Sequence, residues 1–555
     1  MYVFHLFRSF LPLRNPIGFG AADFVELALA LLLVAFALAR PAIAPAFRWL
    51  ANRPRWCMLF LAALPILLRL ALLPLYPVPT PNGADDFSYL LLADTLTHFR
   101  LANPPHPLHQ FFETNFVLQS PSYSSIYPLG PALPLAIGQL LFHLPWAGVL
   151  LATGAFCALC YWMLRGWTTP KWALLGGLLA VAEFGPINYW MNCYWGGAVS
   201  ACAGCLVFGA LPRLRDRWRP RDAVLLGIGI GLQMLSRPWE SLFLDLSVAF
   251  FFIPAWRKLA KALPLVAVLP AILLLLAQNK AVTGSWTTLP YQLSRYRYGV
   301  PTTFVFQANA TPHGHLTADQ QLYFEGQAAA HDAAGAFLPR LANRIAADRF
   351  FLIAPLWLAI PVFLFCLREF RWAWLAGTLT LFVIGSNLYP YFFPHYIAAV
   401  AGLFVLLAIA GLQRMNFLAA RWVLFLCAAH FLFWYGLWSI GDEAILLAMT
   451  PHDTRDAVNN GDPEGRIAID NQLAQAPGSQ LVFVHYSPQH EYHEWIHNAA
   501  DIDASRVVWA VDLGASENEK LEQYYPHRKV WLLEADARPA PRLIPYDTGP
   551  TLITP

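Results

Sequence analysis

Apolar runs long enough to cross a bilayer recur throughout the first 440 residues of this chain, and they leave it few possible folds. A crossing helix needs about 20 largely apolar residues. Such runs stand near 21–39, 56–76, 147–164, 172–187, 194–212, 222–236, 241–255, 263–278, 350–367, 372–388, 396–413 and 422–440. Only 13% of the 555 residues are charged and 57% are hydrophobic, against roughly 25% charged for a water-soluble domain. Lipid is therefore part of the solvent. The expectation is an all-α polytopic transmembrane bundle of about 12–13 helices.

The basic residues give the orientation, because Arg and Lys near helix ends stay on the cytoplasmic side. Arg40, Arg48, Arg53 and Arg55 follow the first run, and RLRDRWRPR (213–221) holds five Arg. Arg257, Lys258 and Lys261, then Arg368 with Arg371, then Arg414 with Arg421, mark further short turns. Connections 77–126, 188–193, 236–240, 279–349 and 389–395 are poorer in cations or longer, so they are read as outer. The alternation closes only if the proline-bearing stretch 127–142 lies on or re-enters the membrane. Residues 441–555 then fall outside. Their strand-like runs LVFVHY (481–486), RVVWAV (506–511) and KVWLLE (529–534) suggest a small soluble α/β domain. The division is thus 1–440, a membrane domain with outer loops 77–126 and 279–349, and 441–555, an extracytoplasmic domain.

Chemistry-bearing residues gather in the outer connections. Asp85 and Asp86 open ADDFSYLLLADTL (84–96), with Tyr89 a turn further on. Adjacent carboxylates at an apolar boundary repel each other and lose hydration, which raises a pKa and suits a general base. The competing reading is a helix N-cap. In NYWMNCYWGGAV (188–199), Asn188, Tyr189, Asn192, Tyr194 and Trp195 offer rings and amides to a sugar, or else form an interfacial aromatic belt. In SRPWES (236–241), Arg237 holds a phosphate or pairs locally with Glu240. Tyr291, Arg295 and Arg297 lie in LPYQLSRYRYG (289–299), where cations work against the insertion bias and so point to an anionic headgroup. His395 in YPYFFPHY (389–396) is an interfacial hydrogen-bonder or a base.

Other signals exclude functions. The net charge of +3 gives no support to nucleic-acid binding. All eight cysteines lie in or beside apolar runs, which argues for packing and not for disulfides or metal. His485, His490, His493 and His497 lack the order of a metalloprotease motif, and surface histidines are the expectation.

The motif ADDFSYLLLADTL, followed by SIYPLGPAL (125–133), resembles the GT-C class of membrane glycosyltransferases. The branch it is most similar to holds protein O-mannosyltransferases and the bacterial aminoarabinose transferases of lipid A. In that class an acidic motif in the first loop is followed by a Tyr-Pro-Pro-Leu-like stretch; here Gly130 separates Leu129 from Pro131, so the second proline is displaced. The resemblance implies transfer of one sugar, with inversion, from a polyprenyl-phosphate donor to a hydroxyl of a lipid, glycan or protein. It implies Asp85 or Asp86, the latter slightly preferred, as general base. Arg237, Arg295 and Arg297 would face the donor phosphate. Tyr89, Asn188, Tyr189, Asn192, Tyr194, Trp195, Glu240, Tyr291 and His395 would contact sugar or acceptor. Without a clear DxD triplet, catalysis without a metal or other cofactor is expected. The expected location is a multi-pass place in a bacterial inner membrane, among membrane lipids. The alternative is a transporter or flippase for a lipid-linked sugar, which calls for internal repeats and midplane charges; neither is evident.

Overall fold

Prolines start helix after helix in this protein. Pro54, Pro145, Pro170, Pro220, Pro238 and Pro290 each stand in the first turn of a helix, where a missing N–H costs nothing and a fixed φ is already helical. The computed structural model describes residues 28, 31–32, 43–81, 83–253, 263–302, 304–440 and 465–546. The apolar run at 21–39 therefore lies almost wholly outside the described residues.

Helices are numbered as follows: α1 Ile43–Ala51, α2 Pro54–Ala71, α3 Ala84–Thr97, α4 Leu129–Phe142, α5 Pro145–Leu164, α6 Pro170–Phe184, α7 Ala198–Asp216, α8 Pro220–Ser236, α9 Pro238–Phe252 and α10 Leu263–Thr283. They continue with α11 Pro290–Tyr298, α12 Ala318–Asp332, α13 Phe337–Ala347, α14 Phe370–Ser386, α15 Ala401–Arg414 and α16 Phe417–Ile440. Among the described residues, six helical stretches are long and apolar enough to cross a membrane: Pro54–Ala71, Pro145–Leu164, Ala198–Asp216, Val266–Thr283, Pro394–Arg414 and Phe417–Gly436. Side chains such as Trp56, Leu67, Leu273, Phe417 and Trp422 face outward on these helices, an apolar exterior that only lipid can solvate.

Four of the expected spans fall short of a straight crossing. Helices α6, α8, α9 and α14 have 15–17 residues, about 22–26 Å at 1.5 Å per residue, against a hydrocarbon core of roughly 30 Å. The run at 350–367 is not one helix. Pro355 and Pro361 break it into short pieces from Ala354 to Cys366, bent by 117° from Phe337–Phe351. The 14-residue α4 is also too short to cross alone. It lies against α5 so closely that a Cβ at Gly148 would overlap the Pro134 carbonyl.

At the C-terminal end, helices α17 (Arg466–Gln475) and α18 (Ala515–Tyr524) accompany a four-stranded sheet. A two-stranded ribbon, β1 Val117–Leu118 with β2 Ser124–Ser125, precedes it in the chain. The sheet has β3 Gln480–His485, β4 Val507–Val511, β5 Lys529–Glu534 and β6 Arg542–Pro545, in the order β4-β3-β5-β6. β3 runs parallel to both neighbours, with Val482 facing Trp509 and Trp531, and β6 closes the edge antiparallel. The run Leu481–Val484 is apolar on both faces, as a central parallel strand requires. β6 had no sequence signal strong enough to separate it from the preceding turn.

The sheet is packed onto the loops of the helical part. Leu481, Phe483, Val508 and Ala510 share a core with Phe111, Phe112 and Leu91. Hydrogen bonds fasten it there, among them Ala500 N–H donating to Asp94 (2.7 Å), the Tyr123 hydroxyl to the Asn498 carbonyl (2.9 Å), and the Thr114 hydroxyl to Glu494.

Candidate active site

The two acids of the first loop separate because successive residues of a helix point about 100° apart. Helix α3 begins after Gly83, and no side chain caps it, so neither Asp is the N-cap. Asp86 is buried, and its Oδ1 accepts the Tyr194 N–H at 2.9 Å. It ties α3 to the 188–196 turn. Asp85 stays half-buried and accepts a very short hydrogen bond from the Tyr127 hydroxyl. Burial pushes the Asp85 carboxyl above its usual range, and the Tyr127 bond and the Arg237 charge pull it partly back. Repulsion by Asp86 is not among the causes, contrary to the expectation from adjacency.

Local contacts hold Tyr127 in place. Ser88 Oγ, on α3, donates to the Phe116 carbonyl and shares a 2.7 Å bond with Ser125 Oγ. Tyr127 N–H donates to Ser125 Oγ at 3.1 Å, and Gln278 donates to its carbonyl at 2.9 Å. The Tyr127 ring stacks on Tyr89 at 4.2 Å and meets Tyr291 edge-on at 5.6 Å. Gly130 then lets the start of α4 touch the end of α8; a Cβ there would lie 2.9 Å from the Leu235 carbonyl.

That touch brings in Arg237. Pro238 excludes the residue before it from helical conformation. Arg237 accordingly sits at φ −144°, ψ 82°, ending α8 and starting α9 without any loop. Its guanidinium lies 4.6 Å above the Tyr396 ring and within the electrostatic reach of Asp85, Tyr89, Tyr291 and Glu240. Glu240 is buried and is bonded by the Tyr389 hydroxyl. Two acids, Asp85 and Glu240, one guanidinium and a wall of phenols are therefore gathered here.

Other candidate residues serve the scaffold. Asn188 is fully buried, accepting Trp190 N–H and donating to the Glu183 carbonyl, both at 2.9 Å. Asn192 accepts a 2.7 Å bond from Arg69, which also binds the Tyr76 and Pro77 carbonyls at 3.0 Å. Tyr189 meets His395 at 3.2 Å, and Trp195 packs edge-on against His395 at 4.8 Å. Tyr194 donates to the Pro79 carbonyl at 2.9 Å. Arg295 is half-buried with no side-chain partner among the described residues. Arg297 faces a second cavity, described below, and its one hydrogen bond among the described residues is a 3.5 Å contact with Ser120.

Sequence reading passed over Tyr323 and the phenol wall of Tyr389, Tyr391 and Tyr396 as site residues. Phe116 touches Tyr127 (5.6 Å) and Tyr323 (5.2 Å), and Tyr323 touches Tyr492 (4.9 Å). Rings thus lead from Asp85 to the C-terminal segment. That segment is also where the histidine expectation fails. His490 is buried between Asp319 (3.0 Å from Nε2) and Asp536 (2.8 Å from Nδ1), and His497 stacks on Phe87 at 4.1 Å beside Arg466. His485, by contrast, is largely exposed and pairs with Asp512 at 2.8 Å. Glu494, buried near Asp319, is pushed up to about 8, chiefly by burial. Among the described residues, no group of three or more His, Cys, Asp or Glu is placed to hold a metal.

No family model matches the chain, and no curated protein matches it in sequence. Solved structures do match in shape. ArnT from Cupriavidus metallidurans in the apo state superposes with a TM-score of 0.52 at 13% identity, covering 86% of this chain and 92% of that one. The same protein bound to undecaprenyl phosphate gives 0.47 over the same shares at 13% identity. The apo oligosaccharyltransferase of Archaeoglobus fulgidus gives 0.36 at 13% identity, over 78% and 62%. The fold of this chain is therefore that of ArnT, shared over most of both chains.

Proposed function

We propose that the chain is a membrane glycosyltransferase that moves one sugar from a polyprenyl-phosphate donor to an acceptor hydroxyl, inverting the anomeric centre, with Asp85 as general base. One observation carries the reading: Asp85 and Arg237, far apart in sequence, lie within electrostatic reach of each other among tyrosines.

The acceptor hydroxyl gives its proton to the Asp85 carboxylate as its oxygen attacks the anomeric carbon. The bond from that carbon to the phosphate oxygen breaks, and its electron pair leaves with the polyprenyl phosphate. The released phosphate then carries one more negative charge than the donor did, and Arg237 meets that charge. The raised Asp85 pKa makes the carboxylate a better proton acceptor near neutral pH. Tyr89, Tyr291 and the Tyr389 to Tyr396 wall offer faces for C–H packing and hydroxyls for hydrogen bonds. Asp86, bonded to the Tyr194 amide, positions the helix that carries the base.

The distribution of Arg and Lys supports placing this cluster on the extracytoplasmic side, with residues 441–555 above it and residues 1–440 as the membrane part. The test is mass analysis of cell-envelope glycans and glycolipids from cells carrying the parent, the Asp85→Asn variant or no gene. One sugar should be missing in the last two. If Asp85→Asn restores it in full, the reading fails.

A further inference from the structure

A second cavity, of about 730 Å³, lies between the loops and the sheet. That size falls in the range of about 300–1,000 Å³ usual for small-ligand sites. Its floor on the sheet side is formed by the carboxyl ends of β3 and β4, at His485 and Asp512. In open sheets with parallel strands, ligands bind outside those ends. The opposite wall comes from the end of α11, with Arg297, and from the stretch before α12, with His313.

The donors in these walls are underused. Arg297 has the single long bond to Ser120 already described. His485 gives Nδ1–H to Asp512 and His313 gives Nδ1–H to the Tyr296 carbonyl (2.9 Å), so Nε2 of each, without a partner among the described residues, donates only when the ring is protonated. The acids in the walls are occupied. Asp512 takes His485, Gly514 N–H (3.0 Å) and Asn518 (2.7 Å), and Glu113 takes the Tyr298 hydroxyl at 2.7 Å. The free valences are thus the Arg297 guanidinium and two Nε2 atoms that donate as imidazolium, beside tyrosine rings. Donors call for an oxyanion, and the rings call for the C–H face of a sugar.

Helix α11 connects this cavity to the reacting centre. It carries Tyr291 at one end, against Tyr127, and Arg297 six residues later, about 9 Å along the axis. We propose that the cavity binds an oxyanion-bearing sugar unit of the acceptor, with Arg297 and the His485 and His313 imidazoles on its phosphate or carboxylate. This rests on the glycosyltransferase reading for the word acceptor, though not for the binding itself. A neutral glycan or a bare lipid would leave these donors unmet.

The experiment is a titration of the purified full-length protein in nanodiscs with glucose 6-phosphate, glucose and inorganic phosphate, repeated with phosphatidylglycerol in the discs. Glucose 6-phosphate should bind at least tenfold tighter than glucose or inorganic phosphate, with or without phosphatidylglycerol. Arg297→Ala and His485→Ala, on opposite walls, should each weaken it at least fivefold, and Arg297→Lys should restore part of the loss. Asp85→Asn should bind as the parent does. Equal binding of glucose 6-phosphate and inorganic phosphate overturns the sugar assignment. Loss of binding in phosphatidylglycerol discs overturns it in favour of a lipid headgroup. Parent-like binding in both wall variants overturns the site. If sugar transfer survives Asp85→Asn while the wall variants still lose binding, the enzyme reading falls and this one stands.

Discussion

The Tyr127 hydroxyl donates its hydrogen bond to Oδ1 of Asp85, 42 residues upstream, and so joins the two short motifs of the first loop into one acid–phenol pair. The phenol restrains the carboxyl. Burial drives its pKa up, and the bond from Tyr127, with the field of Arg237, limits the rise. Both thus favour the charged form against the effect of burial.

Removing that restraint has a signed consequence. In Tyr127→Phe the Asp85 pKa should rise further, because the lost bond favoured the charged form. The acid limb of the kcat/KM profile should then shift to higher pH, with the larger loss of activity below neutrality. A limb that stays in place, or moves to lower pH, contradicts the role given to Tyr127.

The two carboxylates should behave differently. Asp85→Asn should lower turnover by about 10²–10⁴-fold, the usual contribution of a general base, while donor binding measured in detergent persists. Asp86→Ala should act on stability, because it leaves the buried Tyr194 amide without its charged partner, at about 1.5–3 kcal/mol. Thermal unfolding and turnover of the two variants, measured side by side, give the check. A stable, inactive Asp86 variant would reverse the assignment.

Arg237 should matter through its geometry as well as its charge. Arg237→Ala should cost about 10²–10³-fold in kcat, the range for a lost donor to a developing anion. Arg237→Lys should recover only part, because an ammonium neither stacks on Tyr396 nor presents a fork. Single-turnover rates of release of the polyprenyl phosphate measure this. Full recovery with Lys would mean that charge alone suffices.

The clasp at His490 should make docking of the C-terminal unit depend on pH. Burial alone would lower the His490 pKa, but bonds to Asp319 and Asp536 outweigh it and raise the value, while Asp536 is held below its usual range, burial being offset chiefly by the His490 bond. A raised histidine stabilises below its unfolded pKa of about 6.5 and loses this as pH rises through the folded value; a lowered aspartate stabilises above about 3.9 and loses this as pH falls through the folded value. The clasp is therefore strongest between roughly pH 4 and 6.5. Protection factors of residues 480–497, corrected for intrinsic exchange, should be higher at pH 5.5 than at 8.5, and His490→Asn should erase the difference. Equal protection of the parent at both pH values would deny the clasp.

The sequence exposed what is local. Asp85 and Asp86 stood out as acids at an apolar boundary, and Pro238 announced the helix break that displays Arg237. What it hid is what depends on distant partners. Nothing in YPYFFPHY tells that Tyr396 lies under Arg237, some 160 residues upstream. The carboxylates of Asp319 and Asp536 cannot be paired with His490 by spacing, so the histidines read as surface groups. Arg237 and Arg297 read alike as phosphate ligands, yet only the first reaches Asp85. The helix count suffered where prolines 355 and 361 cut an apolar run that hydropathy alone joins.

Arg237 has no loop on either side: one helix ends at it and the next begins there. Such a mount cannot lengthen or swing without sliding two packed helices. The gap between proton acceptor and phosphate counter-charge is then a fixed gauge, set by the membrane part. Any tolerance for larger or smaller sugars has to come from the opposite jaw, where α12 and the segment carrying Tyr492 close over the site. Relatives that handle different sugars should accordingly vary in that jaw while keeping the Arg-Pro junction unchanged.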